Sequence, residues 1–377
     1  MNCMIKNFLI TNILSKNNLS SSIRQLYGRA SIGLEDYEKN RQKFTLPNNF
    51  REKMIINTQD NNNNRIIFSE DLKLIIHVAQ SEDLILVENM MKKFNKQNQY
   101  LRFGSYNFGP VVMRMYHYLN RPEEALKIYY DEQLEGFFDQ LSSVIILMDL
   151  LYENKKYSDI IELYKTFRNK QLSFGKYPKS IMVLIFASCY KLNTAEIFDY
   201  AMNIWKEMND IGLKPLRRIT CYIAALALNQ NSPHIAIELI TTISNHHSVL
   251  IRSLKVLAYC AMGRIQDALP ILTSVLTYDV PNAVKQIFPQ DVIESVKNSI
   301  EKYGDRMVKL DFIRIEKQLK EQGYIKNESL DDLLSSEIII ASAINKPRSI
   351  LKAAFNNDEK NGIRYKTLLR PGLSEIV

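Results

Sequence analysis

The sequence predicts an all-α protein: a right-handed superhelical α-solenoid of helix-turn-helix repeats that ends in non-repeat C-terminal helices. Three observations carry that expectation. In residues 201–215, AMNIWKEMNDIGLKP, the apolar residues Ala201, Ile204, Trp205 and Met208 fall at i, i+3, i+4 and i+7, and Gly212 follows where a helix needs a left-handed cap. The same columns recur at Val87/Met90/Met91/Phe94, Ile160/Leu163/Tyr164/Phe167, Ala236/Leu239/Ile240/Ile243 and Ala268/Ile271/Leu272/Val275, while Ala125/Ile128/Tyr129/Glu132 keeps three of the four. The first columns stand 38, 35, 41, 35 and 32 residues apart with a second apolar segment in each interval, which is the mark of stacked helical hairpins. Ala125, Ala201, Ala236 and Ala268 make the first column small, so helices can approach closely there; a Leu in that seat would overpack by about 1 to 3 kcal/mol. Ile160 and Val87 predict wider crossings in their repeats.

Taken in order, residues 1–34 are basic, Ser-rich and free of Asp and Glu, the composition of a mitochondrial transit peptide. Residues 35–68 hold a weak helical pattern broken at Pro47 and a polar loop with four consecutive asparagines. The repeat array spans 69–280. Its expected pairs are 72–79 with 84–94, 108–119 with 122–136, 142–152 with 158–169, 181–191 with the helix around 201, 220–228 with 233–244, and 250–262 with 265–276. Pro122 and Pro233 suit the first helical turn, where a missing amide donor costs nothing. The long interval of 41 residues is assigned to an enlarged turn, NTAEIFD, at 193–199. After the array, 281–345 forms a helical cap from segments 290–303, 307–322 and 329–343, and 346–377 is a basic, aperiodic tail.

The formal charge of +8 is unevenly placed. Lys6, Lys16, Arg24 and Arg29 lie in the acid-free leader, and seven Lys and Arg against two acids lie in 346–370, which leaves the array near neutrality. A basic chain favours an anionic partner without naming it. No apolar run reaches the roughly 18 residues of a membrane span, so a soluble chain without membrane insertion is expected. Cys3, Cys189, Cys221 and Cys260 have no metal-ligand or CxxC spacing, and the last three sit in apolar helical runs as small hydrophobes.

NRPEEALKIY at 120–129, MGRIQDALPIL at 262–272 and NDIGLKP at 209–215, recurring at intervals near 35, resemble pentatricopeptide repeats. YNFGPVVMRMYHYLN at 106–120, LEGFF at 134–138, CYKLN at 189–193 and RRITCYIAALALNQN at 217–231 extend the likeness to a mitochondrial branch of that family across roughly residues 40–340. The resemblance implies a mitochondrial matrix protein that takes part in maturation of organellar RNA and so supports the respiratory chain. It implies single-stranded mitochondrial RNA as partner, held along the first helices, with a processing enzyme or another matrix protein beside it. In base-reading members of the family a polar residue early in each first helix selects the base. Here those seats hold Pro110, Ile145, Phe186, Cys221 and Ser253, and four of the five offer no amide or hydroxyl. Contact through phosphates and stacking is expected instead, or a groove that holds a protein.

The expected phosphate contacts are Arg114, Lys191, Lys214, Arg217, Arg218, Arg252 and Lys255, on or beside first helices. Arg217 and Arg218 rank first because they sit near the N-terminal donors of a helix. Tyr106, Phe108, Tyr190 and Tyr222 are the candidate stacking rings, and Trp205 belongs to the packing stripe. Asp331 and Asp332 are adjacent and face apart on a helix, the five histidines are scattered or neighbours in a turn, and no phosphate-binding glycine loop, HExxH or nucleophile elbow occurs. A non-catalytic protein without metal or cofactor is therefore expected, either an RNA-binding factor or a protein-interaction scaffold.

Overall fold

The computed structural model describes residues 26–59, 65–98, 106–170, 175–243, 248–276 and 286–337. Most of the leader, the asparagine run, Cys3, His246, His247 and the basic tail lie outside them. Two helices open the described chain, α1 (Leu34–Arg41) and α2 (Phe50–Gln59), on either side of the Pro47 break. Six pairs follow: α3 (Ser69–Val78) with α4 (Leu84–Asn98), α5 (Phe108–Tyr118) with α6 (Pro122–Tyr129), and α7 (Leu141–Glu153) with α8 (Tyr157–Asn169). The series continues with α9 (Lys179–Leu192) and α10 (Ala195–Asp210), α11 (Arg217–Asn229) and α12 (Pro233–Thr241), and α13 (Val249–Ala261) and α14 (Ile265–Leu276). The cap consists of α15 (Gln290–Tyr303), α16 (Arg306–Glu321) and the short α17 (Leu330–Leu334). A parallel pair of two-residue strands, β1 (Phe288–Pro289) and β2 (Ile325–Lys326), joins the segments that flank α15 and α16.

The repeated columns are the core. Ala125, Ile160, Ala201, Ala236 and Ala268 in the first column are wholly covered, and so is Val87. First helices stack into one layer, with α5 between α3 and α7, α9 between α7 and α11, and α13 between α11 and α15. From α6 onward each second helix lies against its own first helix and that of the next pair, so each interface is buried only when the following repeat is present. One hydrophobic cluster runs from Leu26 to the middle of α13 and includes Leu334; a second joins α13 and α14 to α15 and α16 through Val256, Leu272, Val292, Val296 and Leu319.

Helix ends repeat as faithfully as the stripes. Asn120, Lys155, Asn193, Asn231 and Gly263 each take a positive φ, between 49° and 72°, just past a first helix. In four of these the next amide reaches back over the last turn, Arg121 to Tyr116 O, Lys156 to Leu151 O, Ser232 to Ala227 O and Arg264 to Tyr259 O, at 2.9 to 3.0 Å. Gly212, at φ 78°, closes α10 in the same way through the Leu213 amide and Met208 O. Pro122 and Pro233 sit in the first turns of α6 and α12 as expected.

Two local expectations change. NTAEIFD is not a turn: Thr194 caps the helix through its hydroxyl, which accepts from the Ile197 amide at 3.3 Å, and the extra length of that repeat is divided between about one added turn at the start of the 16-residue α10 and a longer connection from 170 to 178 before α9. The 122–136 segment ends its α-helix at Tyr129, and Glu132–Leu134 forms a 3-10 turn that delivers Phe137 and Phe138 to the core. At the N-terminal edge, Leu26, Tyr27 and Ile32 are 0, 2 and 5 % exposed, so a boundary at residue 34 passes through packed side chains. Cys189, Cys221 and Cys260 are buried free thiols; burial pushes the first two up to about 12 and the third to about 11. Among the described residues no helix is long and apolar enough to cross a membrane.

Candidate functional site

The face made by α5, α7, α9, α11 and α13 is where single strands were expected. Its base-reading seats are closed: Pro110, Phe186, Cys221 and Ser253 are buried and Ile145 is half-buried. These residues pack inward because the first helices are apolar on more than one side; α7 reads LSSVIILMDLLYE and has no clean polar stripe.

Segments at the two edges of the described chain lie on that face. On the N-terminal side, the Tyr27 hydroxyl donates to Ser180 O at 2.9 Å on α9, and the Arg114 Nε donates to Ile32 O at 2.8 Å. On the C-terminal side, α17 rests on α11 and α13, Leu334 is completely buried, and Tyr222 donates its hydroxyl to Leu334 O at 2.8 Å. Ser329 and Asp332 form a reciprocal capping box that starts α17. The two segments meet: a Cβ on Gly28 would overlap the Glu337 carboxylate.

These covers engage several of the expected phosphate contacts. Lys191 Nζ holds Asp331 with 2.6 and 2.7 Å contacts to its two oxygens. Arg218 donates to Leu334 O at 2.6 Å and also to the Ser336 carbonyl. Arg114 is largely buried, and desolvation lowers its affinity for its proton relative to a free guanidinium. Arg252 is 7 % exposed, and burial lowers the Lys255 ammonium below its ordinary value. Lys214 and Arg217 are exposed, the one before α11 and the other in its first turn, and no side chain caps the α11 N-terminus. Of the seven cations the structure thus leaves Lys214 and Arg217 together at the surface.

The aromatic candidates divide similarly. Phe108 is buried edge-on against Phe94 with ring centroids 5.1 Å apart, Tyr222 is buried, and Tyr190 is half-buried and tilted on Tyr222 at 6.0 Å. Tyr106 is 42 % exposed, but Lys73 Nζ stands over its ring at 4.4 Å. Trp205 is half-buried against the main cluster. Asp331 and Asp332 are committed to Lys191 and to the cap of α17.

Sequence reasoning missed the covering residues Tyr27, Leu334 and Asp331. The S-x-x-D capping box at 329–332 was the one available signal, and it marks a helix start without saying where the helix docks. It also missed Asp149, a lone acid within the apolar run of α7, which lies beside His117.

No protein-family model matches the sequence. Known proteins do: pentatricopeptide repeat-containing protein 2, mitochondrial, of Mus musculus is 30% identical over 273 residues, covering 72% of this chain and 70% of the relative. The Homo sapiens protein of that name is 28% identical over the same length, covering 69% of the relative, and the Danio rerio protein is 27% identical over 313 residues, covering 82% of this chain and 81% of the relative. With its six stacked helix pairs, their left-handed helix ends and this extent of identity, the chain belongs to the family of mitochondrial pentatricopeptide repeat-containing protein 2.

Proposed function

We propose that the protein is a non-catalytic factor of the mitochondrial matrix that binds single-stranded mitochondrial RNA, takes part in RNA maturation and thereby supports the respiratory chain. The supporting observation is the pair Lys214 and Arg217, exposed at the uncapped N-terminus of α11 while the base-reading seats are buried. Free amides at a helix N-terminus beside two cations favour a phosphate. Buried apolar seats favour contact that ignores base identity. RNA is therefore held by its backbone at this edge, and the processing chemistry belongs to a partner enzyme.

Labelled single-stranded RNA titrated onto the purified chain at increasing salt tests this. Affinity is expected to fall with salt, to differ little between homopolymers, and to lose about 1.4 of the log–log slope when Lys214 and Arg217 both become Glu. A salt-insensitive affinity, or one that the double variant leaves unchanged, overturns the reading.

A second reading, a matrix scaffold for a protein partner, has its own support. Tyr303, Met307, Leu310 and Ile313 are 68, 69, 47 and 52 % exposed along the end of α15 and α16. Met307 also lines a cleft of about 910 Å³ between α14 and α16, and exposed apolar groups on this scale mark interaction surfaces. Crosslinking in intact mitochondria separates the two readings: a protein partner that survives ribonuclease and high salt favours the scaffold.

A further inference from the structure

Asp149 is a completely buried carboxylate in the middle of α7. A charge in such a place is costly unless something neutralises it, and burial accordingly raises its pKa. Around it stand two other ligating groups. His117 Nε2, from α5, lies 3.2 Å from Asp149 Oδ2 and 3.7 Å from Glu153 Oε2, which is one turn further along α7. One ligating atom from each residue lies within 4.8 Å of the others. The Tyr27 amide faces the Asp149 carboxylate, yet Asp149 Oδ1 accepts no hydrogen bond.

The separations suit a metal ion. Two ligands held at about 2.0 to 2.1 Å on a tetrahedral centre stand about 3.3 Å apart, and the imidazole-to-carboxylate distances of 3.2 and 3.7 Å bracket that edge. A neutral imidazole with two carboxylates carries two negative charges, which a dication cancels. A polar cavity of about 210 Å³, lined by His117, Asn120, Glu153 and Asn154 among others, adjoins the cluster and has room for a water as fourth ligand.

We propose that His117, Asp149 and Glu153 bind one divalent transition-metal ion of the zinc class, which clips α5 to α7 beneath the segment that carries Tyr27. Nitrogen with two carboxylate oxygens is a ligand set that zinc accepts, and ligands drawn from two successive repeats make the ion a staple for their interface.

The test is Zn²⁺ titrated into chelator-treated full-length protein, followed by calorimetry and thermal unfolding, with Co²⁺ as a visible-absorbance reporter. One equivalent is expected to bind, and to raise the Tm by about 5 °C at a hundredfold excess over Kd. Asp149→Asn keeps the shape and removes the buried charge, so it should raise the Tm of the metal-free protein while abolishing the Zn²⁺-dependent rise. Glu153→Gln should weaken binding at least tenfold, and replacing both His246 and His247 with Gln should leave it intact. Zn²⁺ binding that survives Asp149→Asn, that disappears with the His246 and His247 variant, or that never exceeds background refutes the site. So does an imidazolium at His117 that is unaffected by Zn²⁺ in NMR spectra.

Discussion

At the scale of single residues, the helix ends of this protein carry a constraint that side-chain packing does not. Asn49, Asn120, Lys155, Asn193 and Asn231 are the described non-glycine residues with positive φ. Four are asparagine, whose short amide tolerates the left-handed region; lysine has no such compensation and holds it at a cost of about 1 to 2 kcal/mol. The Lys155 amide donates to Tyr152 O at 3.0 Å and the Lys156 amide to Leu151 O at 2.9 Å, so the conformation is required to end α7. Lys155 is exposed, and its side chain can be removed without opening a cavity. Lys155→Gly should therefore stabilise the protein by about 0.5 to 1 kcal/mol, the relief being partly offset by glycine's freer unfolded state. Urea unfolding should show a higher midpoint at an unchanged slope. A lower midpoint would mean that the Lys155 side chain makes a contribution larger than the strain.

At the scale of elements, the second helices were legible in the sequence and the covers were not, for a physical reason. A second helix buries one stripe, so Ile160, Leu163, Tyr164 and Phe167 announce themselves at i, i+3, i+4 and i+7. The first helices are buried on several sides and lose that period, so nothing in the local spacing pairs Asp149 with His117. The misread turn at NTAEIFD had the same origin: Ala195 and Glu196 continue no stripe, although Thr194 was an ordinary cap. The seal of 329–337 on α11 joins residues more than a hundred positions apart, and no local spacing encodes it. It can be tested as an element. Lys191→Ala with Arg218→Ala removes the charged clasps on Asp331 and Leu334 O, and half-buried contacts of this kind contribute about 1 kcal/mol each. The expected result is faster hydrogen exchange and proteolysis confined to 329–337, with the repeat helices still protected. Unchanged protection of that segment would show that burial of Leu334 alone holds it.

At the scale of the whole described body, packed side chains at the N-terminal edge bear on the leader expected over residues 1–34. A transit peptide ending at residue 34 would take Leu26, Tyr27 and Ile32 with it. All three belong to the main hydrophobic cluster, and fully burying such side chains is worth about 1.5 to 3 kcal/mol each. The Tyr27 hydroxyl bond to Ser180 and the Arg114 bond to Ile32 would go as well, leaving a guanidinium largely buried without that acceptor. The combined loss, on the order of 5 kcal/mol, is comparable to the entire stability of a typical domain. A mature chain that begins at or before Leu26 keeps these contacts, and the contact between Gly28 and Glu337 then lets the N-terminal segment brace the C-terminal one. Proteins beginning at residues 25 and 35 should accordingly differ: the first melts cooperatively, while the second melts at a markedly lower temperature and loses protection at 329–337 too. Mass spectrometry of the imported protein should find its first residue upstream of Leu26. An N-terminus at 35 on a stable, fully protected protein would contradict this coupling, because the clasp on α9 would then be dispensable to the repeats it covers.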